Sequence, residues 1–206
     1  MESKNTIFIV DDDPDVLDAT CMLLESTGLQ TESHSSAKSF LETINQKSRG
    51  CIILDVRMPN MSGLELQTEI KRRKINLPII FITGHGDVPM AVEAMKNGAL
   101  EFFQKPFRDQ EFIDCVHHAL EINDQSISNF NHMHSIQRRI ETLTRREQQI
   151  MQYMIEGHIT KVIADKLAIS PRTVETHRAR VMEKMQAKTL AQLIHMAMEA
   201  SLRPSQ

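Results

Sequence analysis

Short, almost uninterrupted apolar runs alternate with amphipathic stretches over the first half of the chain. TIFIV at 6–10, CIILD at 51–55 and PIIFIT at 78–83 are nearly continuous Val, Ile, Leu and Phe. LQTES at 29–33 and LEFFQ at 100–104 are weaker members of the series. Runs of this kind predict strands covered on both faces in a parallel sheet. The stretches between them carry helix punctuation. Asp13 before Pro14 reads as an N-cap and first helical residue, and Gly28 as that helix's terminator. Ser62 with Glu65 three residues on predicts a capping box for a helix to about Lys74. Asp87 is expected to cap a helix that tolerates an early Pro89 and stops at Gly98. Five βα repeats predict an α/β doubly wound, five-stranded parallel sheet with right-handed crossovers.

That rhythm stops at residue 123. Residues 123–142 are polar and lack Gly and Pro, so they read either as a flexible linker or as an extension of the preceding helix. A partly helical linker is expected. From Leu143 the pattern is wholly helical: a Thr144/Glu147 capping box opens a helix ending at Gly157, and a short helix spans about Lys161–Leu167. Another helix follows Ser170-Pro171, and a last one follows Thr189. The division expected is 1–122, a linker at 123–142, and a small all-α four-helix unit at 143–206.

Composition sharpens this picture at two points. The chain of 206 residues is 41% hydrophobic and 25% charged, the balance of a globular protein. No apolar run reaches the ~18–20 residues needed to cross a bilayer, and an acid cluster follows the first strand too early for a signal peptide. With Cys21, Cys51 and Cys115 unpaired by spacing, a reduced, cytoplasmic setting is expected. The net charge of −3 conceals an asymmetry. Residues 1–122 hold 12 Lys/Arg against 19 Asp/Glu, a balance of −7; residues 123–206 hold 12 against 8, a balance of +4. A basic second half points toward an anionic partner such as nucleic acid.

In an open parallel sheet, chemistry gathers beyond the carboxyl ends of the strands. Asp11 and Asp12 follow the first predicted strand, Asp55 ends the third, Thr83 ends the fourth and Lys105 follows the fifth. An Asp at a strand end is usually a turn or cap residue, but three carboxylates with Thr83 and Lys105 on one rim suggest phosphoryl transfer to a carboxylate. A strand-borne Asp can act as nucleophile, and a hard cation would offset converging charge. Thr83 and Lys105 can each bind a phosphoryl oxygen. Lys105-Pro106 fits a cis peptide.

VDDD at 10–13, LDVRMP at 54–59, Thr83 of FITGHG and KPF at 105–107 resemble a CheY-like response-regulator receiver domain. The stretch TGHGDVPMAVEAMKNGA at 83–99 resembles the FixJ-type branch. The resemblance implies that Asp55 is the phosphoacceptor. It implies that Asp12, Asp55 and the main-chain carbonyl of Arg57 bind Mg²⁺ with Asp11 in support, and that Thr83 and Phe102 form the switch pair. Asp13, before Pro14, reads as a cap rather than a ligand.

Residues 160–179, TKVIADKLAISPRTVETHRA, have helix-turn-helix spacing, with Ile163, Ala164, Leu167, Ile169 and Val174 as its core. Ala168 stands where many such turns place Gly. Together with LTRRE at 143–147 and RVMEKM at 180–185, the segment resembles a LuxR/FixJ-type DNA-binding domain. That implies a recognition helix in the major groove. On it, Glu175, Thr176 and Ala179 would face base edges. Lys161, Arg172, Thr173, Arg178 and Lys188 would sit nearer phosphates, and His177 would lie on the groove side. A Glu there could accept from cytosine or point away. The histidines His132, His134, His158, His177 and His195 share no metal-binding spacing, and Met182, Met185, Met196 and Met198 read as core filler.

The function expected is a two-component response regulator: a sensor histidine kinase phosphorylates Asp55, and the second domain binds promoter DNA. Phosphorylation would promote a homodimer or release the DNA-binding domain, with RNA polymerase open as a further contact and no membrane partner. The rival reading is an aspartate-nucleophile phosphatase-like enzyme, for which the chain leaves no room for a substrate cap. A receiver that has lost phosphate acceptance is a third, opposed by the intact acid set.

Overall fold

A computed structural model describes residues 5–84 and 88–201, in two compact units divided between Ile127 and Ser128. The first unit carries β1 (Thr6–Val10), β2 (Thr31–His34), β3 (Gly50–Asp55), β4 (Ile79–Thr83) and β5 (Glu101–Gln104), alternating with α1 (Pro14–Glu25), α2 (Ala37–Thr43), α3 (Gly63–Arg72) and α4 (Val88–Lys96). The long α5 (Asp109–Glu141) follows. All strand pairs are parallel, in the order β2-β1-β3-β4-β5. The near-continuous apolar runs are the interior strands, and the two weak runs are the edges.

Side-chain alternation splits the core into two layers. Phe8, Val10, Ile52, Leu54 and Phe81 face α2, α3 and α4. Ile7, Ile9, Ile53, Ile80 and Ile82 face α1 and α5, where Cys51 is also fully buried. Burial pushes the Cys51 thiol up to about 12 and the Cys115 thiol up to about 11.

The predicted caps at Asp13 and Ser62 are present, the latter as a complete capping box with Glu65. The predicted cap Asp87 lies outside the described residues. β2 begins two residues later than the apolar pattern suggests, because the Leu29 amide still bonds to the Leu24 carbonyl and belongs to the exit of α1. Gly50 opens β3 at a φ of 125°, with its amide donating to the buried Asn123 Oδ1 at 3.0 Å. A Cβ there would fall 1.8 Å from the Thr6 carbonyl oxygen.

Of the two readings of residues 123–142, the extension of the preceding helix is the one found, as far as Glu141. Residues 109–141 form one helix of 33 residues. Asn123 is buried in the first unit, bridging Gly50 and the Asn76 carbonyl. Ile136 is buried in the core of the second unit, with Ile140 packed against it. The segment is polar because most of a single helix's circumference faces water, and its few apolar positions are spent on packing.

In the second unit, α6 (Arg145–Ile155), α7 (Thr160–Leu167), α8 (Pro171–Met185) and α9 (Leu190–Ser201) join the end of α5 around Ile150, Met154, Ile163, Val174, Val181, Met185 and Leu193. Met185 and Met196 are core residues as expected, but Met198 is 60% exposed. The Thr144/Glu147 capping box is present. Its Glu147 is buried and also accepts from Lys184 Nζ at 2.6 Å, an ion pair invisible to helix patterning because 37 residues separate the partners.

The Lys184 ammonium and the capping amide of Thr144 hold the Glu147 carboxyl down at about 2. A depressed carboxylate contributes stability above its unfolded value of 4.5, and that contribution is lost as pH falls toward 2. Glu147→Gln is expected to cost about 1–2 kcal/mol at pH 7, screening near the surface included. The difference should shrink steadily below pH 4.5 in denaturation midpoints measured against pH. A gap that stays constant down to pH 2 would place its source elsewhere.

Candidate functional site

The switch in strand order falls between β1 and β3, and the register pairs Val10 with Leu54. Asp11 and Asp55 are therefore neighbours at the carboxyl end of the sheet, where a ligand crevice is expected. Both are buried, as is Thr83 at the end of β4. Thr83 pairs with Gln104, and its carbonyl accepts the Lys105 amide at 2.8 Å. The Lys105–Pro106 bond is cis, and Lys105 Nζ lies 3.2 Å from Asp11 Oδ2.

Each carboxylate is positioned by backbone. Asp11 Oδ1 accepts the Asp13 amide at 2.9 Å, and Asp55 Oδ2 accepts the Arg57 amide at 2.6 Å. Asp12 is exposed on the rim. Burial pushes the Asp55 carboxyl up to about 6; Asp11 and Asp12 add to that rise, while the Arg57 amide and Lys105 oppose it. Converging negative charge is thus only partly offset by Lys105. Among the described residues no three His, Cys, Asp or Glu side chains form a closed metal cluster. Oxygen donors from Asp12, Asp55 and a main-chain carbonyl fit Mg²⁺, which takes one or two carboxylates and completes its shell with waters and phosphate oxygens.

The expected five-residue rim is present: Asp11, Asp12, Asp55, Thr83 and Lys105 come together. Phe102, the other member of the expected switch pair, is half-buried, its ring 6.2 Å from that of Phe81. Beside it, α4 presents Val88, Val92 and Met95 outward, Val88 being 77% exposed.

The second unit brings the predicted helix-turn-helix core together, and Ser170 caps α8 by accepting the Thr173 amide at 3.1 Å. Ala168 occupies the left-handed turn position with φ 51°, a conformation for which Gly is the unstrained choice. Lys161, Arg172, Thr173, Thr176, Ala179 and Lys188 are exposed. Arg178 and His177 are half-buried, and His177 Nδ1 is buried without a partner among the described residues. Glu175 accepts a hydrogen bond from the Thr160 hydroxyl and lies 3.9 Å from Arg178 Nε. Its carboxylate therefore ties the start of α7 to α8, a role that the notion of a reading face does not suggest. Among the described residues no helix is long and apolar enough to cross a membrane.

Comparison with known proteins assigns both units. Residues 7–117 match the response regulator receiver domain, and residues 141–197 match the bacterial regulatory proteins of the luxR family. The chain is 44% identical to the transcriptional regulatory protein FixJ of Rhizobium meliloti over 200 residues, covering 97% of this chain and 98% of FixJ. It is 43% identical to the response regulator protein TodT of Pseudomonas putida, covering 94% of this chain and 85% of TodT. Among solved structures, the response regulator StyR is similar with a TM-score of 0.90 at 40% identity, covering 96% of this chain and all of that one. Full-length FixJ from B. japonicum gives 0.60 at 39% identity, covering 98% and 100%. The chain belongs to the response-regulator family and is a phosphorylation-dependent transcriptional regulator, a receiver domain joined to a LuxR-type DNA-binding domain.

Proposed function

We propose that Asp55 accepts a phosphoryl group from a sensor histidine kinase and that the second unit then binds promoter DNA, in the cytoplasm. The observation that carries this is the buried, strand-held Asp55 carboxylate beside Asp11, with Lys105 and Thr83 on the same rim. An Asp55 oxygen attacks phosphorus and the phosphodonor departs. Lys105 and Thr83 take phosphoryl oxygens, and Asp11 holds Lys105 in place. Mg²⁺, bound through Asp12, Asp55 and the Arg57 carbonyl, would neutralise charge on those oxygens. The chemistry is confined to the receiver's own phosphorylation and dephosphorylation; no other substrate is turned over.

Charge from the phosphoryl group biases Thr83 inward and Phe102 into the space that Thr83 vacates, a packing change with two discrete arrangements. The apolar stripe of α4 with β5 then pairs with a second copy, which makes the second DNA contact effectively intramolecular. Acetyl phosphate with Mg²⁺ should label Asp55, double the light-scattering mass and increase retention of DNA. A labelled monomer that retains DNA more tightly would reject pairing in favour of relief of inhibition.

On DNA, Thr176 and Ala179 face base edges. Arg172, Thr173, Arg178, Lys161 and Lys188 lie toward phosphates, and His177 and Glu175 support the helix. Arg172→Ala should weaken all sequences alike and reduce the log–log salt slope by about 0.9. Thr176→Ala should instead change the preferred sequence, at about 1–3 kcal/mol for the base concerned. Selection of bound sequences with each variant checks this; a changed preference with Arg172→Ala alone would overturn the docking.

A further inference from the structure

Gln67 lies in the middle of α3 with no exposed surface. Its Nε2 donates to the Ala94 carbonyl and to the Asn97 carbonyl, each at 3.1 Å. These carbonyls lie at the end of α4, where acceptors run short of intrahelical partners; the Ala94 carbonyl also accepts the Ala99 amide at 3.0 Å. Both partners are acceptors, so the amide's NH₂ end must face them. Its Oε1 is buried and finds no hydrogen bond among the described residues. An apolar side chain of equal volume would fill the same space without that penalty. What the amide supplies is therefore the pair of donors sent to α4.

The other end of α3 abuts the phosphoacceptor. The Gly63 amide donates to the Val56 carbonyl at 2.9 Å, and a Cβ on Gly63 would fall 2.1 Å from the Asp55 carbonyl oxygen. The Ser62–Glu65 capping box fixes that first turn. Gln67 stands one helical turn after Gly63. One short helix thus touches the backbone of Asp55 at its start and grips the end of α4 a turn later. Beyond that grip α4 carries its exposed stripe of Val88, Val92 and Met95.

We propose that Gln67 is a positioning residue of the phosphorylation switch, pinning the C-terminal end of α4 to the helix that grows from the phosphoacceptor loop. Two hydrogen bonds at one end prevent α4 from sliding along its axis and make that end a pivot about which its Val88 end re-aims. The proposal rests on the reading of Asp55 as phosphoacceptor.

Amide hydrogen exchange of the full chain, with and without beryllofluoride and Mg²⁺, tests it for wild type, Gln67→Met and Gln67→Leu. Increased protection of the loop after Asp55 in wild type supports the phosphoacceptor reading separately, and its absence removes that reading and the coupling together. In wild type, the amides of Asn97, Gly98 and Ala99, which bond back into the last turn of α4, should exchange equally in both states while those of the preceding turns respond. In the variants these three amides should exchange at least tenfold faster and become responsive to beryllofluoride. Three outcomes overturn the proposal. The three amides respond in wild type as strongly as the rest of α4; or they are unchanged in both variants; or exchange accelerates uniformly across β3, β4 and α4, which is lost stability alone. Because the first outcome is read on wild type, the test does not depend on either variant folding.

Discussion

Asp55→Asn is expected to abolish phosphoryl uptake from acetyl phosphate and, at the same time, to make the receiver more stable. The amide is too poor a nucleophile to attack phosphorus and brings no charge to a metal. Its oxygen can still accept the Arg57 amide, so the local fold is preserved. The gain in stability follows from the raised carboxyl, whose usual value of 3.8 becomes about 6 on burial. A folded state that holds the proton more tightly loses stability as pH rises from 3.8 to about 6, and the full burden persists above that. Removing the charge should therefore add about 1–2 kcal/mol at pH 7.5 in metal-free buffer, with screening allowed for, and almost nothing at pH 3.5. Phosphoprotein mass analysis and urea denaturation at the two pH values check both halves. Retained labelling, or a variant destabilised at pH 7.5, would mean that the pocket is misassigned.

Gly50→Ala is expected to have the largest effect on stability of any single methyl added to the receiver. Its backbone has a positive φ, and the new Cβ would sit 1.8 Å from the Thr6 carbonyl oxygen. No flexible side chain can yield there, because the obstacle is the backbone of β1. Relief requires separating the ends of β1 and β3, which also breaks the Gly50 amide's bond to Asn123 and unpairs Thr6 from Gly50. A cost of about 4 kcal/mol or more is expected, enough to unfold a marginal domain. Denaturant unfolding of the full chain should show the receiver transition shifted or lost, with the helical signal from residues 128–201 retained. A shift worth under about 1 kcal/mol would show that the strand ends yield cheaply.

The parallel sheet was legible because its interior strands are apolar on both faces, a pattern that few other structures share. The rim was legible for a related reason: a strand's end fixes where the next residue points, so Asp11, Asp55, Thr83 and Lys105 could be placed together from strand positions alone. Three features lay beyond that logic. Lys184 reaches Glu147, and Gln67 reaches α4, across intervals that no local period encodes. Phe102 is half-buried because Phe81 lies beside it on the next strand, a cross-strand neighbour that the alternation of β5 does not reveal. The choice between linker and helix at residues 123–141 was likewise left open. A solvent-facing helix and a polar linker share one composition, and only the burial of Asn123 and Ile136 distinguishes them.

Cys51 gives the receiver an internal stopwatch. A thiol held at about 12 near the start of β3, the middle strand of the sheet, has almost no reactive thiolate at pH 8, and its full burial shields it in the closed protein. Alkylation of Cys51 can proceed only from molecules in which the central strands have parted. Its rate, followed at Cys51 alone, then reports those openings without denaturant.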